Sequence, residues 1–128
     1  MMKYLFDTSF LIALIFESDV LHDKACDTLE KINENYEFYI NEIIYIESIT
    51  VSCYKWWVEK SLILKMFLEK IGCKFLSKNN LEYVDYFFHI NKKISVQDCS
   101  LIHDCKDSSY KLLSFDDQVQ KYIKALKK

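Results

Sequence analysis

Two aspartates directly follow short apolar runs: Asp7 after Tyr4-Leu5-Phe6, and Asp116 after the stretch from Leu112 to Phe115. If both runs are strands of one parallel sheet, both acids stand at the carboxyl edge, where open α/β sheets bind ligands. Each also suits the N-cap of the helix that follows it, the commoner use of such an Asp. Two more acids interrupt apolar patterns on helices. On a wheel from Asn41 to Tyr54, Tyr45, Ser48 and Ser52 share one arc, while Ile43, Ile46, Ile49, Thr50, Val51, Cys53 and Tyr54 fill the other, with Glu47 among them. A carboxylate inside an apolar arc needs a cation, hydrogen-bond donors or a wet cleft beside it. A partly exposed position at the rim of the helix meets the same need. After Ser95, the residues Leu101, Ile102 and Cys105 form a stripe with Asp98 at its centre, and Ser95-Val96-Gln97-Asp98 also approximates a capping box. His103, Asp104 and Asp107 fall away from that stripe and read as solvated. Glu42 reads as a first-turn acid that complements the helix dipole.

Four carboxylates about 5 Å apart would repel by roughly 3 kcal/mol per pair at an effective dielectric of about 20. Protonation or a divalent cation must relieve that repulsion. Oxygen ligands without an organised set of His or Cys favour Mg²⁺ or Mn²⁺ over zinc. Cys99 and His103 stand four residues apart with Cys105 nearby, but no second ligand pair follows at zinc spacing. A hard dication among acids suits metal-assisted phosphodiester hydrolysis.

The elements needed to position such a group are legible in the chain. Tyr4 to Phe6 reads as a strand, followed by a helix carrying Phe10, Leu11, Ala13, Leu14 and Ile15, with the Asp7-Thr8-Ser9 hydroxyls able to cap it. A helix from Val20 to Ile32 precedes a short strand, Glu37 to Ile40. Asn41 caps a third helix reaching about Tyr54, and Trp56-Trp57 marks a corner. A further helix from Glu59 to Ile71 stops at Gly72, the one glycine of the chain. Then come a strand at Lys74 to Leu76, a helix from Asn80 to Asn91, a helix capped by Ser95 and lasting to about Lys106, a strand at Leu112 to Phe115, and a helix from Asp117 to Leu126. Strands alternating with helices, without hairpin turns, predict a parallel α/β sheet with helices on both faces.

Composition sets the outer bounds. The 128 residues are 51% hydrophobic and 16% aromatic, enough for one globular domain and too few for two. A single glycine and no proline argue against a many-turned β-sandwich or barrel. The formal charge of −2 excludes a generally basic chain that coats nucleic acid. All seventeen cations are Lys, so the chain offers no guanidinium fork for phosphate. Five cysteines without a CxxC pair, and no convincing export signal, read as reduced thiols in the cytoplasm. The apolar run from Phe10 to Phe16 is far too short to span a membrane.

At these residues the chain resembles the PIN-domain family of metal-dependent ribonucleases, and within it the single-domain VapC-type toxins. Tyr4-Leu-Phe-Asp7-Thr8-Ser9-Phe-Leu-Ile-Ala is similar to that family's opening strand and first acid. Asn41-Glu-Ile-Ile-Tyr-Ile-Glu47 is similar to its helix-borne glutamate, Ile94-Ser95-Val-Gln-Asp98-Cys-Ser-Leu-Ile to its third acidic stretch, and Leu112-Leu-Ser114-Phe-Asp116-Asp to its fourth. Each stretch is weak alone; the four in this order carry the resemblance over nearly the whole chain.

The resemblance implies one PIN-like domain over 1–128: a three-layer α/β/α fold around a parallel sheet of about four strands. It implies Mg²⁺ or Mn²⁺ held by Asp7, Glu47, Asp98 and Asp116, with Asp117 able to substitute as the fourth acid. It also implies that Thr8, Ser9 or Ser114 acts on metal or phosphate, that RNA is the substrate, that a small antitoxin protein fills the active-site groove, and that the chain forms a homodimer. The stretch after Asp116 reads as one helix and leaves little room for the family's last strand.

Lys121, Lys124 and Lys128 near one face of the last helix, with Lys55, Lys60 and Lys65 further in, suit an RNA partner or a plain solvated surface. Trp56, Trp57 and Phe67 suit the core, or else a dimer or antitoxin groove. Two other functions compete: a degenerate PIN-like module that binds RNA or protein without cutting, and a haloacid-dehalogenase-like phosphatase with Asp7 as nucleophile. The second usually needs another Asp two residues on, where this chain has Ser9.

Overall fold

The computed structural model describes residues 1–76, 80–106 and 109–127. Its elements run β1 (Met2–Phe6), α1 (Thr8–Ile15), α2 (His22–Glu30), β2 (Tyr36–Asn41), α3 (Glu42–Lys70), β3 (Lys74–Leu76), α4 (Asn80–Ile90), α5 (Val96–Cys105), β4 (Lys111–Leu113) and α6 (Asp117–Leu126). The sheet has the order β3-β2-β1-β4, and every pairing is parallel. This is the helix-flanked parallel sheet that the alternating pattern predicts.

The strand order explains where a site can form. The chain steps outward from β1 to β2 to β3, then returns past β1 to place β4 on its other side. With right-handed crossovers, α1 to α3 cover one face and α4 and α5 the other. Connections leave β1 and β4 in opposite senses, which opens a crevice at their carboxyl ends. Asp7 and Ser114 begin there, joined by the Asp7 amide donating to the Leu113 carbonyl at 3.0 Å.

β1 is the central strand in burial as well as position. Tyr4, Leu5 and Phe6 are all buried, a continuous apolar run as expected for a strand covered on both faces. Phe6 stacks on Phe38 of β2 at 5.1 Å, and Phe10 on Phe115 at 5.2 Å. Each such side chain contributes about 1.5–3 kcal/mol when fully buried, so β1 and the start of α1 are anchored from both sides of Asp7.

Both edge strands are three residues long, which limits pairing with other chains. β4 starts and ends earlier than the sequence suggests, because Ser114 and Phe115 turn away into the site. On its open side the Gln120 amide donates to the carbonyls of Leu112 at 3.2 Å and Ser114 at 3.4 Å, so a side chain of α6 does at this edge what a neighbouring strand would do.

The helix wheel of α3 is inverted relative to expectation. Ile44, Ser48 and Ser52 form the buried face, whereas Ile46, Thr50 and Tyr54 are exposed. The serines enter the core because each satisfies its own hydroxyl on the helix: Ser48 Oγ donates to the Ile44 carbonyl at 2.7 Å and Ser52 Oγ to that of Ile49 at 2.9 Å. Their small size lets α1 pack close. The Trp56-Trp57 corner is present as a kink within α3, where Trp57 takes φ 74°. Trp56 stacks on Phe16 at 4.2 Å, and Phe67 packs on the core, but Trp57 is 78% exposed and belongs to no core. Past the kink, Gly72 (φ 67°) closes the helix: its amide donates to the Glu69 carbonyl and that of Cys73 to the Leu68 carbonyl.

Candidate active site

Asp7 caps α1 with its own side chain, Oδ1 accepting from the Thr8 amide at 2.7 Å. Its Oδ2 accepts from Ser9 Oγ at 3.3 Å and from Ser114 Oγ. Although 6% exposed, Asp7 has its pKa raised above the ordinary carboxylate value. Burial is the main cause and the charge of Glu47 adds to it, while the Ser114, Thr8 and Ser9 donors pull the other way.

Glu47 reaches this group from α3. Thr8 Oγ1 donates to Glu47 Oε1 and lies 3.1 Å from Ser48 Oγ. Glu47 is half-buried, at the rim of α3 and not inside an apolar core face, and its contact with the Thr8 hydroxyl brings it to the start of α1. Glu47 also borders a groove of about 340 Å³ with Ile46, Val51 and Gln97 of α5.

Asp98 and Asp116 complete the set. Asp98 lies in the first turn of α5, where Ser95 Oγ accepts from its amide at 3.0 Å. The Asp98 carboxyl is half-buried, and its pKa is raised by burial first, then by the charges of Asp116 and Asp7. Asp116 caps α6, with Oδ1 accepting from the amides of Gln118 at 3.0 Å and Val119 at 3.3 Å. Four acids from four separate stretches are thus coupled through space: Glu47 to Asp7, Asp7 to Asp98, and Asp98 to Asp116.

The hydroxyls serve the carboxylates. Ser114 Oγ donates to Asp7 and accepts from the Asp116 amide at 2.9 Å, so one side chain ties the ends of β1 and β4 together. Ser9 Oγ accepts from the Phe115 amide at 3.1 Å. Among the described residues, no three or more His, Cys, Asp or Glu are placed so that together they could hold one metal ion. Asp7, Glu47 and Asp116 are each held on hydroxyl or amide donors instead. Asp117 is exposed and lines a neighbouring cleft of about 370 Å³ together with Lys24, Phe115 and Gln120.

Two residues expected in solvent lie in the core. Asp104 is 1% exposed; it accepts from Asn41 Nδ2 at 2.9 Å and from the Tyr83 hydroxyl at 3.0 Å. His103 packs edge-on against Tyr83 and Tyr86. Asn41 also caps α3 through the Ile44 amide and donates to Ser100 Oγ at 3.1 Å. The network locks the start of the Glu47 helix to the Asp98 helix. Asp104 escaped sequence reading because the polar partners that turn it inward are on other elements. Asp107 and Lys128 lie outside the described residues.

A model of the PIN domain matches residues 4–125. The chain belongs to the PIN domain family. Its fold is similar to that of VapC20 from Mycobacterium tuberculosis, a toxin that cleaves the sarcin–ricin loop, with TM-score 0.76, 12% identity, and 93% of this chain and 94% of that one covered. It is also similar to VapBC-1 from nontypeable Haemophilus influenzae, with TM-score 0.66, 15% identity, and coverage of 97% and 94%. At these identities the likeness is one of fold. No curated protein matches the chain. Among the described residues, no helix of this PIN domain is long and apolar enough to cross a membrane.

Proposed function

We propose that this PIN domain is a Mg²⁺- or Mn²⁺-dependent endoribonuclease and the toxin of a toxin–antitoxin pair, acting in the cytoplasm. The observation that carries the reading is the convergence of four acids on the crevice between β1 and β4, where Thr8 joins Glu47 to the β1–α1 turn, Ser114 joins Asp7 to the Asp116 amide, and the ionisation of Asp7 and Asp98 is opposed by burial and by the like charges of Glu47 and Asp116. The donor set fits a hard dication, since it offers carboxylate oxygens without thiolate or imidazole. Mg²⁺ takes only one or two carboxylates directly and keeps several waters, so a preformed cage is not required. Asp7, Glu47, Asp98 and Asp116 would hold the metal, directly or through its waters. When bound, the metal supplies an activated water and charge stabilisation at the phosphate.

The chain's own residues do the rest. Thr8 holds Glu47 in place, and Ser114 fixes Asp7 against the amide of Asp116. Ser9 and Ser114 place two hydroxyls on the Asp7 carboxylate, where they could turn to a phosphate bound beside it. A small antitoxin, by analogy with VapBC-1, and a second copy of the chain are the proposed partners.

Purified protein should cut RNA with Mg²⁺ or Mn²⁺ and stop in EDTA, and Asp7→Asn and Asp98→Asn should each lose at least about a hundredfold in rate while retaining the fold. RNA or partner binding that survives both changes, with no cutting by the unaltered chain, would leave a binding module instead. Release of phosphate from small monoesters would point to the phosphatase.

A further inference from the structure

The cleft beside the acidic crevice lies between α2 and the β4–α6 junction, and it is not needed to hold any of the four acids. Its wall is aromatic: Phe115, backed by Phe10 at 5.2 Å. Lys24 from α2 sits over the Phe115 ring, with Nζ 5.5 Å from its centre. Asp117 and Gln120 of α6 also line the cleft. Ser114 joins it to the crevice, because the residue lines the cleft and its hydroxyl donates to Asp7. A group bound here is therefore one residue's width from the reacting centre.

We infer that this cleft is a base-binding subsite for the nucleotide next to the scissile bond, and that it favours a base carrying an exocyclic amino group. The inference rests on the nuclease reading for the identity of the polymer, but its chemistry is local. With Phe10 stacked on one face of Phe115 and Lys24 Nζ over the ring, a base stacks by displacing that exposed ammonium, which then meets the phosphate or a base carbonyl. Asp117 accepts from an amino group, as acids do with cytosine N4, and it gains nothing from the bare carbonyl that uracil carries at that position. The mixed charge fits a base better than a second phosphate, which Asp117 would repel. On this assignment Asp117 reads the substrate and does not replace Asp116, in keeping with the coupling of Asp98 to Asp116.

The test uses the full chain in the Asp98→Asn background, which can bind RNA without cutting it, with fluorescence anisotropy of labelled oligocytidine and oligouridine. Oligocytidine should bind more tightly. Lys24→Glu, at an exposed position, and Thr28→Trp, which fills the cleft, should each weaken oligocytidine binding by about tenfold or more. Asp117→Asn should narrow the preference over oligouridine. Calorimetric titration of Mn²⁺ into the same three variants with Asp98 intact should match the unaltered chain, which separates this subsite from the acidic centre. Equal affinity for both oligomers together with unchanged binding in Lys24→Glu and Thr28→Trp would overturn the subsite, as would an unaltered cleft that binds neither oligomer. Failure of the unaltered chain to bind Mn²⁺ or to cut RNA would overturn the nuclease reading alone, since the anisotropy comparison still decides the cleft.

Discussion

Asp7 and Asp104 are buried to a similar degree, at 6% and 1% exposed, yet their surroundings differ in kind. Asp104 meets donors: Asn41 holds one oxygen, the Tyr83 phenol, kept protonated by burial and by the charge of Asp104, bridges both, and His103 Nδ1 stands 3.7 Å from Oδ1. Asp7 also has donors, but it faces Glu47 and Asp98, so its charge is opposed as well as solvated. A buried acid with its own donors is structural, because nothing is gained by adding a cation. A buried acid among other acids is one whose repulsion a cation or a proton would relieve. The lesson is that the sign of the neighbours, rather than burial, separates a core carboxylate from a site.

That contrast predicts opposite responses to neutralisation. Asp104→Ala strands the Asn41 amide and the Tyr83 hydroxyl in the core and should cost about 3 kcal/mol of stability by urea denaturation. Asp98→Asn removes a repelled charge, and in metal-free protein it should leave stability unchanged or raise it. Loss of stability in Asp98→Asn equal to that in Asp104→Ala would remove the distinction.

Acidity should sharpen the same difference. The raised pKa values of Asp7 and Asp98 mean that the folded chain keeps protons that the unfolded chain releases. Their contribution is fully present below the ordinary carboxylate range and is lost as pH rises through the raised values. The stability advantage of Asp98→Asn over the unaltered metal-free chain should therefore be largest near neutrality and shrink on acidification. An advantage that grows on acidification would contradict the coupling. The smallest expected effect lies at Thr8, whose hydroxyl joins Ser48 to Glu47. Thr8→Val should lower RNA cleavage by about tenfold with little change in melting temperature, as loss of a residue that orients a ligand does. Unchanged cleavage would show that Glu47 needs no such support.

Periodicity and capping rules made most of the fold legible. Asn41, Ser95 and Gly72 mark real helix ends, and β1 is legible because a central parallel strand is apolar at every position. The α3 wheel misleads because hydropathy ranks Ser48 and Ser52 as surface residues, whereas a helical serine can satisfy itself on its own backbone and pack against a neighbouring helix. Asp7 and Asp116 follow from their strands. Glu47 is legible only as a rim acid of α3, because the buried face of that helix is the serine arc, and Asp104 is illegible because its donors come from β2 and α4 and leave no local trace.

The most direct test is calorimetric titration of Mn²⁺ into EDTA-treated protein, comparing the unaltered chain with Asp7→Asn, Asp98→Asn and Asp104→Asn. Binding by the unaltered chain and by Asp104→Asn, with its loss in the other two, is the predicted result. No binding by the unaltered chain, or equal binding in Asp98→Asn, would contradict the claim that these acids form a single centre for a dication.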